Sequence, residues 1–590
     1  MPDPMWRKPG KLLGRVRAAV RESTAELRDP HTPDLPPVYA VRLGWRLQKA
    51  GDIESARTAY TRAVASGHAK YAPLAAVSLG PLLAGLGDVE GARAVLQVAI
   101  DSGRKDAAPY GLLNLGLVLL NAGDTAGARA ALELAVGTGR TSCVPSAAHW
   151  LGRLLKDAGD VEGARAAFRT AVDSGHKEHA PAAAFDLGVM LSEAGDAEAA
   201  SSAWRRAARS GHPKWAPQAA GRLGLLLSKA GDLDGARDAF QIAVDSGHED
   251  EAPWAAVRLG SVLQKSGDVD GARAAFRHAI DSGHPRHAPS ASIHLGNLLA
   301  KRGDSAGARV CYRSAMDSDH ADQRARAAYI LGILLDSEGD LPGARAAFQT
   351  AIDCGDAGIV PRATFSLGGT LYQEGDLDGA RAVFQRAVDS GHPVAAPGAS
   401  YLLGEIRKDA GDLAGAQAAY QRATDSDDPK VANPAHLALA RLHVKNGDYA
   451  AACVAYQAVV DSGDEERVPW AALRLGDLLK FAGDHPGARE AFRTACSYPG
   501  SHAAPKAAVA LGLLLHEADD VQGARAAYQL AIDSGDRDEA PRAAVSLGRL
   551  LLETGDGSGA RAAYEQAVAF HHARHSRWAE QILKHLGPVG

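Results

Sequence analysis

The fold class predicted by this 590-residue sequence is all-α: a solenoid of about fifteen 36-residue helix-turn-helix repeats with a capping helix at each end. Three observations predict it. A single 36-residue pattern returns fifteen times without slipping register, from Pro37 to Ser576. Each copy is marked by Leu-Gly, then Gly-Asp, then alanine, from Leu43–Gly44, Gly51–Asp52 and Ala56 to Leu547, Gly548, Gly555, Asp556 and Ala560, and the leucine, aspartate and alanine stand in all fifteen. The composition, rich in Ala, Gly and Arg with only 5% aromatics, suits helices packed through small residues. A fixed period of this length marks stacked units, none of which can bury its apolar face alone.

The elements follow in chain order. Residues 1–36 contain an amphipathic stretch, Lys11 to Arg28, with Leu12, Leu13, Val16, Val20 and Leu27 along one side. It falls where the second helix of a zeroth repeat would lie, and reads as a cap. Its Lys11, Arg15, Arg17 and Arg21 leave open a helix that meets an anionic partner or a membrane surface.

The repeats occupy residues 37–576, and the copy from Pro253 to Arg286 represents them. Pro253 suits the first turn of a helix, where its missing N–H costs nothing. Val257, Leu259, Val262 and Leu263 then make a helical apolar stripe. Gly267 suits a left-handed helix end, and Asp268 suits the N-cap of a second helix. That helix carries Ala272, Phe276, Ala279 and Ile280 on one face and stops at Gly283. Gly260 and Ala272 allow close approach of the two backbones, with Phe276 filling the space beside them. Residues 577–590 supply a last apolar stripe, Trp578, Ile582, Leu583 and Leu586, read as the second cap.

Some copies are irregular. Pro81 lies inside a first helix, where it should remove a hydrogen bond and kink the chain. Asp519 replaces the turn glycine, and Ala200-Ser201-Ser202 replaces Ala-Arg-Ala. Pro434, Ala440 and His443 depart from the pattern within 433–453.

Composition excludes several classes. The net charge of −5 is no global footprint for nucleic acid, though a local basic stripe remains open. Cys143, Cys311, Cys354, Cys453 and Cys496 are scattered without C-x-x-C spacing, as reduced cytoplasmic thiols would be. No run of 18 apolar residues is present, and the opening MPDPMWRKPG lacks a secretory core. The Ala/Arg/Gly/Asp bias suggests a GC-rich bacterium. There is no P-loop, dinucleotide fingerprint, G-x-S-x-G or H-E-x-x-H, so neither catalysis nor a cofactor is expected. Histidines follow the terminating glycine at His68, His176, His212, His248, His284 and His392. Pairing with His179 and His287, and the His571, His572, His575 group, raises zinc binding. A cation-favouring place beside a helix C-terminus is the expected reading.

These marks together resemble the tetratricopeptide repeat family: Leu-Gly, the Gly-Asp turn, the alanine, the aromatic four residues on and a further alanine three beyond occur in its order and spacing. The tail of each unit, such as Ala243 to His248, is similar to Sel1-like repeats. The period exceeds the family's usual 34, and small residues such as Ala256 stand where the family has tryptophan. The resemblance implies a right-handed superhelix and a non-catalytic scaffold that binds a peptide or partner protein in its concave groove.

By the same resemblance, the variable first-helix positions face that groove. They include Tyr110, His149, Arg153, Lys156, Phe185, Arg222, Lys229, Trp254, Tyr329, Arg362, Phe365, Tyr372, Tyr401, Lys408, Arg441, Lys445, Trp470 and Lys480. Basic residues outnumber acidic ones there, and aromatics gather between Tyr329 and Tyr401 and between Trp470 and Phe481. Aromatic anchors with basic rims suit an acidic peptide. The aromatics also suit packing between repeats. A nucleic-acid-binding solenoid, a regulatory subunit of a multi-protein system and self-association stay open. The arginine after the framework alanine recurs in twelve copies, as an expected charge ladder with aspartates such as Asp173 and Asp281.

Overall fold

A computed structural model describes residues 35–586, so the Lys11 to Arg28 stretch and the last four residues lie outside the described residues. The described residues form α-helices joined by short turns, with no strand among them. Fifteen helix pairs run from Pro37–Ala50 with Ile53–Ala65 to Glu539–Glu553 with Gly557–Ala569, and a final helix, His575–His585, follows. The chain divides into two compact units, one up to Leu298 and one from Leu299.

Within each unit the two helices of a pair pack on each other, and each second helix packs on the next first helix. First helices of successive pairs also touch, as Pro37–Ala50 does Tyr71–Gly85 and Val468–Phe481 does Ala503–Glu517. The core is a row of small and aromatic side chains. In the representative copy, Ala272, Phe276 and Ala279 are wholly buried, and a Cβ built on Gly260 would lie 2.5 Å from Phe276 Cε1. The glycine therefore seats the ring flat against the first helix. Ala440 takes this place in one unit, and there Tyr456 is 5% exposed while its counterparts Tyr420 and Tyr528 are fully buried.

The turn explains why its aspartate never varies. Gly267 sits at φ +87°, freeing Asp268 to accept the Gly271 N–H through Oδ1 at 2.9 Å. Every second helix from Ile53–Ala65 to Gly557–Ala569 begins with such an aspartate cap, from Asp52 to Asp556. A cap of this kind contributes about 1 kcal/mol. The donor is usually glycine because a Cβ on Gly271 would lie 2.3 Å from the Asp268 carboxylate. Ser55, Ala199 and Ala451 donate in three copies, at 3.1, 3.0 and 3.1 Å.

Asp519 adopts φ 57° in place of the turn glycine. A left-handed conformation costs an L-residue about 1–2 kcal/mol. Asp519→Gly is expected to stabilise its unit by about 0.5–1 kcal/mol after the larger unfolded-state entropy of glycine is subtracted. Slower amide exchange in Ala503–Glu517 and Val521–Asp533 would register the gain; unchanged exchange would rule it out.

Two irregular copies are repaired by side-chain hydrogen bonds. The helix Tyr71–Gly85 runs unbroken through Pro81. The carbonyl that Pro81 cannot bond, Val77 O, instead accepts Asn114 Nδ2 from the next first helix at 2.9 Å. In Pro429–Lys445, Asn433 replaces the usual proline, and its buried amide donates to Ser462 Oγ at 3.0 Å and Asp464 Oδ2 at 3.1 Å. Asn433 thus ties its first helix to the end of the second helix of the same repeat.

The histidine expectation is corrected. The histidine of the Ser-Gly-His tail does not serve the helix behind it as a cation. His284 Nδ1 accepts the N–H groups of Arg286 and His287, each at 3.2 Å, and so caps the helix ahead. His68, His176, His212, His248, His392 and His572 do the same. At this register position Asp356 and Asp536 act identically through Oδ1. The shared requirement is an acceptor, which an imidazole nitrogen meets only when unprotonated.

The arginine ladder exists with other partners. Arg93, Arg129 and Arg165 reach the capping aspartates of the next turn, Asp124, Asp160 and Asp196, at 3.6, 3.5 and 3.4 Å. One oxygen of each aspartate caps its helix while the other meets the arginine. Asp173 is taken by Arg206 instead, and Asp281 has no ion pair among the described residues. These exposed pairs each contribute well under ~1 kcal/mol.

Candidate protein-interaction surface

The first helices present the variable residues, and most of the expected anchors are partly committed to packing. In the first unit, Tyr110 donates its hydroxyl hydrogen to Ser142 Oγ of the following loop at 2.8 Å. Trp254 is half-buried over Gly221 of the preceding repeat, whose added Cβ would lie 2.7 Å from Trp254 Cζ3. His149 is buried with Nε2 2.9 Å from Asp186 Oδ2. Phe185 lies against Trp215 with ring centroids 5.3 Å apart.

Two of the four expected basic residues of this unit are answered. Lys156 Nζ lies 2.9 Å from Glu193, and Arg153 stacks over Trp150 at 4.9 Å with Asp186 at 4.0 Å. Arg222 and Lys229 are exposed and carry no ion pair with a described residue.

The second unit differs. Tyr329, Phe365 and Tyr401 are half-buried, each with its ring 6.0 Å from the framework aromatic Phe348, Phe384 or Tyr420. Burial pushes the Tyr401 hydroxyl pKa up, consistent with a packed ring. These three serve the contact between repeats. Tyr372 remains exposed, as does Arg362. Lys408 is drawn to Glu405, with Asp409 3.7 Å away.

Toward the end of the chain the surface opens. Trp470 is 39% exposed on Val468–Phe481, with Lys506 Nζ 5.5 Å from its ring centroid. Arg441, Lys445 and Lys480 make no ion pair with any described residue. Phe481 is 72% exposed and meets Tyr449 edge-on at 5.1 Å. The contribution of Tyr449 was not visible in the first-helix pattern, since it begins a second helix; its spacing of 32 from Phe481, close to one period, was the available signal. Of the expected anchors, Trp470 combines exposure with a cation, Lys506, against its ring.

The chemistry of the remaining polar groups is structural. Burial pushes the Cys143 and Cys496 thiols up to about 11, which removes the thiolate character a reactive cysteine needs. Among the described residues, no three His, Cys, Asp or Glu side chains gather to hold a metal ion. No helix among them is long and apolar enough to cross a membrane.

Family models support the same architecture. The tetratricopeptide repeat model matches residues 41–111, 151–214, 191–253, 257–320, 294–359 and 358–400, more than half of the chain. A tetratricopeptide repeat-like domain model matches 427–550, and another repeat model matches 109–133 and 541–566. No curated protein matches the sequence. Among solved structures, the chain is similar to c5321, a protective antigen of uropathogenic Escherichia coli displaying an SLR fold: identity is 20%, with 72% of this chain and 94% of that one covered at a TM-score of 0.36. It is similar to yeast Tom70 at 16% identity, covering 83% and 98% at 0.31. Pseudomonas aeruginosa pilF shares 18% identity over 36% and 93% at 0.30.

Proposed function

Since the chain belongs to the tetratricopeptide repeat family, we propose that it is a non-catalytic protein-interaction scaffold whose first-helix surface binds an acidic segment of a partner protein. The observation that carries this reading is Trp470: a large aromatic left 39% exposed beside Lys506, on a surface where Arg441, Lys445 and Lys480 have no ion pair with a described residue. A half-exposed indole beside Lys506, on a helix row that also carries unpaired cations, can bury apolar area and gain charge-assisted contacts when a partner arrives. The framework residues contribute nothing to this chemistry, because their side chains are consumed within and between repeats.

The test is affinity purification of the full chain from its host at moderate and high salt, with and without nuclease. A protein partner that survives nuclease and is reduced at least tenfold by Trp470→Ala supports the scaffold. Capture that vanishes with nuclease and falls steeply with salt identifies a nucleic-acid-binding solenoid and overturns it. Trp470→Ala, with its side chain already partly solvated, is expected to leave folding intact, whereas Tyr401→Ala would open a gap beside Tyr420.

A further inference from the structure

Repetition makes each unit a control for the others. On the outward surface of the second helices, seven units carry a glutamine and an aspartate one turn apart, and in six the two are hydrogen-bonded: Gln97 with Asp101, Gln241 with Asp245, Gln349 with Asp353, Gln385 with Asp389, Gln457 with Asp461 and Gln529 with Asp533. The bonds measure 2.7 or 2.8 Å, and aspartate holds the second position in ten of the fifteen copies. One unit inverts this chemistry. In the helix Ala197–Ala208 and its C-cap the two positions are Arg205 and Arg209, with Arg206 between them.

These three arginines, with Ser202 and Ser210, line one open depression. Arg206 is anchored: Nη1 donates to Asp173 Oδ1 at 2.8 Å and Nη2 to Val172 O at 3.0 Å. Ser210 is occupied as well, donating to Ala207 O at 2.6 Å and accepting the His212 N–H at 3.1 Å. Arg205 and Arg209 are exposed and make no ion pair with a described residue. The preceding unit carries Arg169 at the position of Arg205, so positive charge continues along the row.

A cation in the last turn of a helix is favoured by the helix dipole by about 0.3–1 kcal/mol. That effect does not account for the cluster, because ten sister units accept aspartate at the position of Arg209. Placing like charges side by side is unfavourable until an anion joins them. Planar guanidinium forks pair bidentately with phosphate oxygens, and a dianion answers two unpaired arginines where a single carboxylate answers one. We propose that Arg205, Arg206 and Arg209, with the Ser202 hydroxyl, form a binding site for a phosphomonoester on the second-helix surface. This site is separate from the first-helix surface and does not depend on its assignment.

Calorimetric titration of the full chain with inorganic phosphate and with a phosphoserine peptide, in chloride buffer of matched ionic strength, tests the site. The decisive variant is Arg205→Gln with Arg209→Asp, which writes in the pair that seven sister units already carry and so preserves the fold. Saturable binding weakened at least tenfold in this variant, with unchanged helical circular dichroism, is the expected result. Stronger binding of the peptide than of free phosphate assigns the site to a phosphorylated segment, and the reverse assigns it to the free anion; both support the proposal. Equal binding by wild type and variant, or none above the chloride background, overturns it.

Discussion

Replacing Gly260 by alanine is expected to destabilise its unit by about 1–3 kcal/mol, the usual cost of overpacking a filled core. The added methyl would meet the fully buried Phe276 ring at 2.5 Å, so the ring or the helix must move. Phe276→Ala alone should cost about 3–5 kcal/mol through lost burial and an unfilled cavity. In the double variant the methyl enters space that the ring has vacated, and the total should fall short of the sum by at least about 1 kcal/mol. Because a repeat array need not unfold as one two-state body, the measurement is amide exchange in Glu251–Ser266 and Val269–Asp281 alongside denaturant melts. Additivity within about 0.5 kcal/mol would show that the glycine and the ring do not share one contact.

Acidification from pH 7 to 4 is expected to weaken the first unit, with His179 the largest single contributor. Burial, and then the neighbouring His149 and His176, push its pKa down to about 4, while Glu178 acts in the opposite sense. The rings of His176 and His149 lie 5.0 and 6.1 Å from it. An unfolded histidine titrates near about 6.5, so between that pH and about 4 the unfolded chain binds a proton that the folded chain refuses. Stability is therefore retained above about 6.5, falls as pH drops through this window, and levels below about 4. The full difference corresponds to at most about 3 kcal/mol. His179→Tyr places there the residue that Tyr71 supplies in a sister unit, and should reduce this unit's slope, while His287 and the capping histidines of the same unit retain part of it. Burial also lowers the pKa of His287 and His575, so part of the whole chain's slope should remain. Denaturant melts at pH 7, 5.5 and 4 decide; equal slopes for wild type and His179→Tyr would refute the assignment.

The architecture was legible in the sequence because each framework role demands one residue type. Only aspartate recurs where a carboxylate must cap a helix one residue after a left-handed turn, and glycine recurs where an aromatic ring lies on the backbone. The arginine ladder was legible as a regularity but not in its pairing. The distance from Arg93 to Asp124 depends on how one turn is set beside the next, and no spacing within a repeat contains that offset. The histidine tails were misread for a related reason: a residue between two helices can serve either, and only the direction of its ring shows that it serves the one ahead.

The interaction surface was less legible still. Tyr401 and Trp470 both occupy first-helix positions and both read as aromatic anchors. The Tyr401 ring turns toward Tyr420, whereas the Trp470 ring stays open beside Lys506. Periodicity dictates which positions are equivalent, and with them the helices, turns and core, because those contacts are local and repeat with the chain. Which variable side chains stay free depends on contacts between neighbouring repeats, where side-chain reach and charge pairing are settled by packing that no single repeat contains.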